Sequence, residues 1–166
     1  MEYFQSKYFL PRKEIDVLED TEKEYKVFAY CRVSTDKTDQ RNSLASQQDF
    51  FDMVREGHDN WKSFRLFSDE GISGTSLNRR DGFNEMIRLA KAGEANLILT
   101  KEVSRFSRNA KDTLNIAYEL KEHNIGIYFI NNRIYTGNEQ GCRNLAAISS
   151  AAEDERLTGE LPDLLR

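Results

Sequence analysis

The chain has 166 residues, of which 31% are charged and 39% hydrophobic, and its formal net charge at pH 7 is −4. This length fits one domain with a sizeable core, and no apolar run approaches the ~20 residues that a membrane span needs. The acidic balance argues against a broad basic surface for nucleic acid, and two cysteines are too few for a disulfide framework or a cysteine-rich metal site, which favours a reduced, cytoplasmic setting.

The first part of the chain predicts an arm, a strand and a helix. Residues 1–24 are aromatic at the start and acidic later, which is typical of an arm or linker. Residues 25–31 are almost continuously apolar, as in a strand buried on both faces. A helix is predicted from Asn42 or Ser43, either of which can cap it, to just before Gly57. Its inner stripe is Leu44, Gln47, Phe51 and Val54.

A second strand and helix follow. The strand is predicted at residues 61–67, and a loop with two glycines separates it from a helix capped near Asp81. Gly93 is expected to end that helix. The inward positions of this helix are Phe83, Met86, Ile87 and Ala90.

The rest of the chain repeats the alternation. Strands are predicted at residues 96–100 and 125–130, and each is followed by a polar or basic segment and then a helix. Alternating strands and helices imply right-handed crossovers and a largely parallel sheet. We therefore predict an α/β fold of three layers, with about four to five strands in the central sheet. The inward positions of the last two helices are Leu114, Ala117 and Tyr118, and then Leu145, Ile148 and Ala152.

A serine and an arginine stand two residues apart where the first strand ends. In an extended backbone Tyr30, Arg32 and Ser34 share one side, at the sheet edge where open α/β sheets bind ligands. Arginine cannot act as the base for a serine, but it binds two oxygens of a phosphate in bidentate fashion. The pair therefore indicates attack by Ser34 on a phosphate, the alternative being a polar strand-end loop of no special purpose.

Other basic residues are expected at the same edge. Arg105 and Arg108 are three apart and would share a face at a helix start after the third strand, where the helix dipole favours an anion. Each arginine taken singly also fits an exposed surface position. Gln47 is polar on an apolar stripe, so it either bonds to a loop or lies near Ser34. The other candidates are Arg79 and Arg80 after the glycine-containing loop, Asp69 at its start, and the basic residues Lys101 and Lys111.

Taken together and in order, these motifs resemble the catalytic domain of the serine recombinases, the resolvase and invertase family, and most closely its large serine recombinase branch, which includes serine integrases and transposases. The resemblance rests on YCRVST, SLASQ, DEGISGT with Arg80, SRFSR and the AAEDER ending of the last helix. It implies a resolvase-like fold. It places the catalytic domain at residues 25–158, with residues 159–166 as a tail or the end of the last helix.

The resemblance implies that Ser34 attacks a DNA phosphodiester, joins the 5′ phosphate and releases a 3′ hydroxyl, so that strands are exchanged and rejoined without ATP or metal. Arg32, Arg105 and Arg108 would hold the scissile phosphate. Arg80 and Gln47 would support the site, and Asp69 would orient the loop or pair with an arginine. No cofactor is expected. The implied partners are DNA, which Arg79, Lys101 and Lys111 would contact, and further copies of the chain, in a homodimer and in a tetramer in the synaptic complex.

Two departures from the family pattern stand out. Many members have an aspartate before the first arginine of the SRFSR segment, where this chain has Ser104, which leaves the general acid and base open, with Glu102 nearby. Gly159 and Pro162 are expected to interrupt the last helix, which suggests a catalytic domain separated from its DNA-binding part. The rival interpretation is a non-catalytic remnant that acts as a dimerisation or interaction module. A flavodoxin-like nucleotide binder is disfavoured, because no glycine-rich phosphate loop follows the first strand.

Overall fold

The computed structural model describes residues 22–34, 38–71, 80–107 and 109–164, with side chains as far as residue 151. Within these ranges the chain forms a five-stranded sheet and four α-helices. No helix of this part is long and apolar enough to cross a membrane. The elements are β1 (Tyr25–Val33), α1 (Leu44–Arg55), β2 (Trp61–Glu70), α2 (Asp81–Leu89), β3 (Leu97–Thr100), α3 (Ala110–Glu122), β4 (Gly126–Phe129), β5 (Ile134–Tyr135) and α4 (Glu139–Leu164).

The sheet has the order β2-β1-β3-β4-β5. Its first three pairings are parallel and only β4 with β5 is antiparallel. The predicted α/β class and largely parallel sheet are confirmed. β5 was not predicted, because two residues inside a polar segment give no periodic pattern.

The two faces of β1 belong to two different cores. Phe28 and Tyr30 face the core that α2, α3 and the start of α4 complete. Val27, Ala29 and Cys31 face the other core, where α1 packs. The helix after β1 and the helix after β2 therefore cover opposite faces, which is the layered arrangement expected of right-handed crossovers from a central strand.

Two residues predicted to be inward are exposed. Leu44 is 52% exposed, because it is the first residue of α1 and lies before the stripe reaches the sheet. Tyr118 is 46% exposed. The buried residues of α3 are Thr113, Ala117 and Leu120, and the residue after Ala117 points about 100° away from it around the helix.

Some of the predicted helix ends are confirmed, and others are wrong. Ser43 caps α1, with its Oγ accepting the amide N–H of Ser46 at 3.2 Å. Gly93, at φ 96°, ends the π-helical turn Ala90–Glu94 that extends α2, as predicted. By contrast, α4 begins at Glu139, before Gly141, and its backbone runs through residues 159 and 162 to Leu164, so the expected interruption was wrong.

Candidate active site

A cleft of about 440 Å³ opens at the carboxyl ends of β1 and β3. The chain leaves β1 towards β2 on one side of the sheet and returns from β2 to β3 on the other. This change of direction leaves a crevice between β1 and β3, the usual ligand position in open α/β sheets. The cleft is lined by Tyr30, Cys31, Arg32, Arg41, Asn42, Gln47, Thr100, Lys101, Glu102, Arg105 and Asn131.

The cleft is basic although the whole chain is acidic. Among the described residues, its lining contains four cationic side chains and a single carboxylate, that of Glu102. An anion that enters the cleft therefore meets a local positive field. The cationic residues are Arg32, Arg41, Lys101 and Arg105.

Ser34 is the first residue after β1 and lies beside this cleft. Its amide N–H donates to the carbonyl of Asn42 at 2.8 Å, and Asn42 lines the cleft. The carbonyl of the preceding residue, Val33, accepts the amide of Gly71 at 2.8 Å. The backbone on both sides of the β1 end is thus held by hydrogen bonds to neighbouring segments.

Arg105 reaches the cleft from the segment after β3. Its Nη1 donates to Oδ1 of Asn42 at 3.2 Å, and its Nε lies 3.7 Å from Oε2 of Glu102. Arg105 belongs to the short 3-10 turn Val103–Arg105, whereas α3 begins only at Ala110. The predicted position of Arg105 at a helix start was therefore wrong, and Arg105 lines the cleft from a 3-10 turn instead.

Glu102 points into the cleft. Besides the ion pair with Arg105, its carboxylate accepts hydrogen bonds from Ser104 Oγ at 3.3 Å and Asn131 Nδ2 at 3.2 Å. Ser104 is exposed, and among the described residues its side chain bonds only to Glu102. The carboxylate next to Arg105 in this chain is therefore Glu102.

Gln47 both bonds to a loop and lines the cleft, so the two alternatives posed by the sequence are true together. It is 3% exposed, and its Nε2 donates to the Arg41 carbonyl at 3.3 Å and to Asn42 Oδ1 at 3.5 Å. Its Oε1 is buried without a hydrogen-bond partner in the described structure. The Oε1 atom of Gln47 is therefore an unused hydrogen-bond acceptor in the wall of a cationic cleft.

Lys101 is half-buried rather than extended into solvent. Its ammonium lies over the ring of Phe50 at 4.1 Å, and burial lowers its pKa below the ordinary value. Cys31 lies in the same wall, and burial raises the pKa of its thiol to about 12, so the thiol is neutral at physiological pH. Lys101 therefore supplies charge from the floor of the cleft.

Asp69, at the end of β2, caps α2. Its Oδ1 accepts the amide of Gly82 and its Oδ2 accepts the amide of Phe83, both at 2.8 Å. Asp81 was expected near the cap, but it is the first helical residue, and the preceding residue makes no side-chain cap bond. Gly82 allows this close contact, since a Cβ there would lie 2.5 Å from the carbonyl oxygen of Ser68.

Arg80 lies on the other side of the Tyr30 ring and does not line the cleft. Its guanidinium is 3.8 Å from the ring centroid of Phe83 and 5.3 Å from that of Tyr30. It also donates to the carbonyl of Phe106. Arg80 therefore contacts the cleft wall from behind, through Tyr30.

The remaining candidates are distributed as follows. Arg79 and Arg108 lie outside the described residues. Lys111 is exposed in the first turn of α3 and is not part of the cleft. In the described ranges no group of three or more His, Cys, Asp or Glu side chains is arranged to hold a metal ion.

Sequence reasoning missed five residues of the cleft lining, namely Cys31, Arg41, Asn42, Thr100 and Asn131. Asn42 was considered only as a helix cap, and its place between Ser34 and Gln47 was the available signal. Arg41 precedes it on the same 3-10 turn, Gln40–Asn42. Asn131 follows β4, and strand-end polar residues in a parallel sheet are candidates on that ground alone.

Comparison with known proteins identifies the family and the fold. Residues 27–158 match the family model described as the resolvase N-terminal domain. A resolvase/recombinase of Pseudomonas putida is 29% identical over 133 residues, which cover 80% of this chain and 66% of that protein. The transposon Tn3 resolvase of Escherichia coli is 30% identical over 132 residues, with 79% and 64% covered. The chain thus spans slightly less than two thirds of the length of these relatives.

Solved structures show the same fold. The N-terminal catalytic domain of TP901-1 integrase superposes with a TM-score of 0.63 at 25% identity, covering 80% of this chain and 98% of that one. A resolvase family site-specific recombinase from Streptococcus pneumoniae has the same TM-score at 23% identity, covering 86% and 97%. The family model, the curated relatives and the shared fold together show that this chain belongs to the resolvase family of serine recombinases.

Proposed function

We propose that this chain is the catalytic domain of a site-specific DNA recombinase that breaks and rejoins DNA through Ser34. The observation that carries the proposal is the basic cleft at the ends of β1 and β3, beside Ser34, in a chain of otherwise acidic charge. A phosphodiester is the anion that such a cleft would take in a resolvase family member.

The proposed chemistry is a transesterification at phosphorus. The hydroxyl oxygen of Ser34 forms a bond to the phosphorus, the bond to the 3′ oxygen breaks, and the hydroxyl proton is taken up while the leaving oxygen gains one. The result is a 5′-phosphoseryl link and a free 3′ hydroxyl. Attack by the 3′ hydroxyl of another strand reverses the step, so the phosphate ester bond is conserved and neither ATP nor metal is required.

The arginines act electrostatically. Arg32 and Arg105 line the cleft and, with Arg108, would offset the charge that develops on the phosphate oxygens in the transition state. An arginine placed in this way contributes about 10³ to 10⁵ to the rate of phosphoryl transfer. Arg80 supports the site indirectly, since it packs behind Tyr30, and Gln47 fixes the wall.

The working assembly is proposed to be a homodimer that pairs into a tetramer on DNA in the cytoplasm. α4 has 26 residues and is therefore about 39 Å long. It packs on β5 and on α3, which has 13 residues, so a helix of twice that length offers further surface on which a second copy would pack. The domain limits, 25–158, belong to the same proposal.

The direct test is covalent capture of DNA. The chain is incubated with a library of nicked duplexes of random sequence, and protein-linked DNA is resolved on a denaturing gel. We expect an adduct for the wild type and for Ser63→Ala, an exposed serine on β2, and none for Ser34→Ala. An adduct that persists in Ser34→Ala would rule out the assignment, and no adduct with any variant would favour the interaction module.

A further inference from the structure

We infer that Asn42 is a positioning residue that fixes the Arg105 guanidinium relative to the Ser34 backbone. The inference rests on the proposed function of the cleft and adds to it a residue that makes no proposed contact with the phosphate. The main-chain carbonyl of Asn42 accepts the amide of Ser34 at 2.8 Å. The nucleophile is thereby tied to the turn that carries Asn42.

The side chain of Asn42 reaches the opposite wall. Its Oδ1 accepts Arg105 Nη1 at 3.2 Å and Gln47 Nε2 at 3.5 Å. One amide oxygen has two lone pairs, so these two donors use its full capacity. Three segments, after β1, at the start of α1 and after β3, are therefore joined at a single residue.

The orientation of the Asn42 amide is fixed by Asp39. Asn42 Nδ2 donates to Asp39 Oδ2 at 3.0 Å, and the Asn42 backbone amide donates to Asp39 Oδ1 at 3.3 Å. A flipped amide would turn its N–H group towards the Arg105 guanidinium, where donor would face donor. The carboxylate thus directs the amide oxygen to Arg105.

An uncharged acceptor suits this position chemically. Arg105 keeps its full positive charge when its partner is an amide, whereas a second carboxylate would neutralise it and compete with the phosphate. Without Asn42 Oδ1, the remaining side-chain partner of Arg105 in the described structure is Glu102, at 3.7 Å and partly exposed. The guanidinium would then move towards Glu102 and away from Ser34.

The test compares Asn42→Ala with Asn96→Ala. Asn96 is a matched control, because its side chain also makes two hydrogen bonds to another segment, with Lys26 N and the Glu24 carbonyl, but at the opposite edge of the sheet. Hydrogen exchange of the Ser34 amide and the NMR signal of Arg105 Nε–H are measured in both variants. We expect both observables to change in Asn42→Ala and neither in Asn96→Ala.

The effect of Asn42 on function is tested by measuring the rate of adduct formation. At saturating nicked DNA the rate should fall about tenfold to a hundredfold in Asn42→Ala, as misplaced groups cost in other enzymes. The apparent DNA affinity should stay within about twofold, since Asn42 stabilises the reacting geometry rather than ground-state binding. A purely structural role would change the melting temperature without separating rate from affinity.

The outcomes separate the two proposals. An active wild type with an unchanged rate in Asn42→Ala refutes the role of Asn42 and leaves the recombinase proposal standing. A wild type that forms no adduct refutes the recombinase proposal, and the two NMR observables then decide on Asn42 alone. If Asn42→Ala does not fold, Asn42→Asp is measured in the same way, with reduced affinity of the cleft for inorganic phosphate expected because the new charge pairs with Arg105.

Discussion

The phenol of Tyr30 donates a hydrogen bond to Oδ2 of Asp69 across 2.9 Å, linking the central strand to the cap of α2. Tyr30 is 1% exposed and its ring contacts those of Phe83 and Phe106. Burial raises the pKa of Tyr30 to about 12, although the neighbouring Arg80 acts to lower it. The hydrogen bond therefore joins the rear wall of the cleft to the helix that follows the loop.

The first prediction concerns alkaline stability. A tyrosine whose pKa is raised from 10 to about 12 on folding binds its proton more tightly in the native state. Its contribution is complete below pH 10 and is lost as the pH rises towards 12, by up to about 3 kcal/mol. Urea unfolding between pH 9 and about 11.5 should show a falling free energy of unfolding, and the fall should be shallower in Tyr30→Phe. Equal slopes in both proteins would contradict this cause.

The second prediction concerns the helix cap. Asp69→Ala removes the acceptor for two helix N–H groups and leaves the buried Tyr30 hydroxyl without its partner. We expect a loss of about 2 to 4 kcal/mol in the free energy of unfolding. The control is Asp81→Ala, an exposed acid in the first turn of α2 without a side-chain cap bond, which should cost about 0.3 to 1 kcal/mol through the helix dipole alone. Similar losses in the two variants would show that Asp69 is not the cap.

The third prediction concerns anion affinity. Glu102 supplies the carboxylate of the cleft lining in the part of the chain that the structure describes, and it pairs with Arg105 in a partly exposed position. Glu102→Gln should strengthen the binding of inorganic phosphate several-fold at low salt, with a stability change of about 1 kcal/mol or less. Phosphate titrations followed by NMR would measure the affinity. Unchanged or weaker binding would mean that phosphate does not sit near Arg105.

The fourth prediction is that strand cleavage needs no divalent metal. The cleft brings two arginines and a lysine to the position where a metal ion would otherwise stabilise the phosphate, namely Arg32, Arg105 and Lys101. The rate of adduct formation should be the same in excess EDTA and in magnesium. A rate that magnesium alone restores would show that the arginines are not sufficient.

The fifth prediction is weak and unselective DNA binding by the 166-residue chain. The described lining of the cleft supplies four cations, and neutralising that many phosphates corresponds to a slope of about −4 when the logarithm of affinity is plotted against the logarithm of salt concentration. Titration of two duplexes of unrelated sequence at physiological salt should give similar affinities. A preference of about 10³ or more for either would reveal a base-reading element.

The fold could be predicted because its main elements have strong periodic signals. The strands from 25 and 96 are largely apolar, and the helices that follow the strands carry apolar stripes that locate both cores. The wrong predictions concern single residues, for which the sequence pattern gives little information. Leu44 and Tyr118 both fit the helical period of the apolar residues approximately, yet both are exposed. Leu44 is the first residue of its helix, and Tyr118 lies one position after the buried Ala117.

Site residues could be predicted where the side-chain type itself indicates phosphate chemistry or is unusual at its position. Arg32, Gln47 and Arg105 lie together in the cleft, and Ser34 lies beside it. Sequence does not reveal that Asp69 caps α2, since its partners are backbone amides 13 and 14 positions away. Nor does it reveal the role of Asn42, whose contact with Arg105 spans 63 positions.

That separation has a consequence for the newly made protein. A chain that has left the ribosome only as far as β2 already contains Ser34, but it lacks β3 and the turn that presents Arg105. β1 pairs with β3 only after the intervening helix and strand have been synthesised, and such non-local parallel pairing is slow. The order of synthesis thus leaves Ser34 without the Arg105 side of the cleft until β3 has paired with β1, so the cleft is completed only when the sheet is.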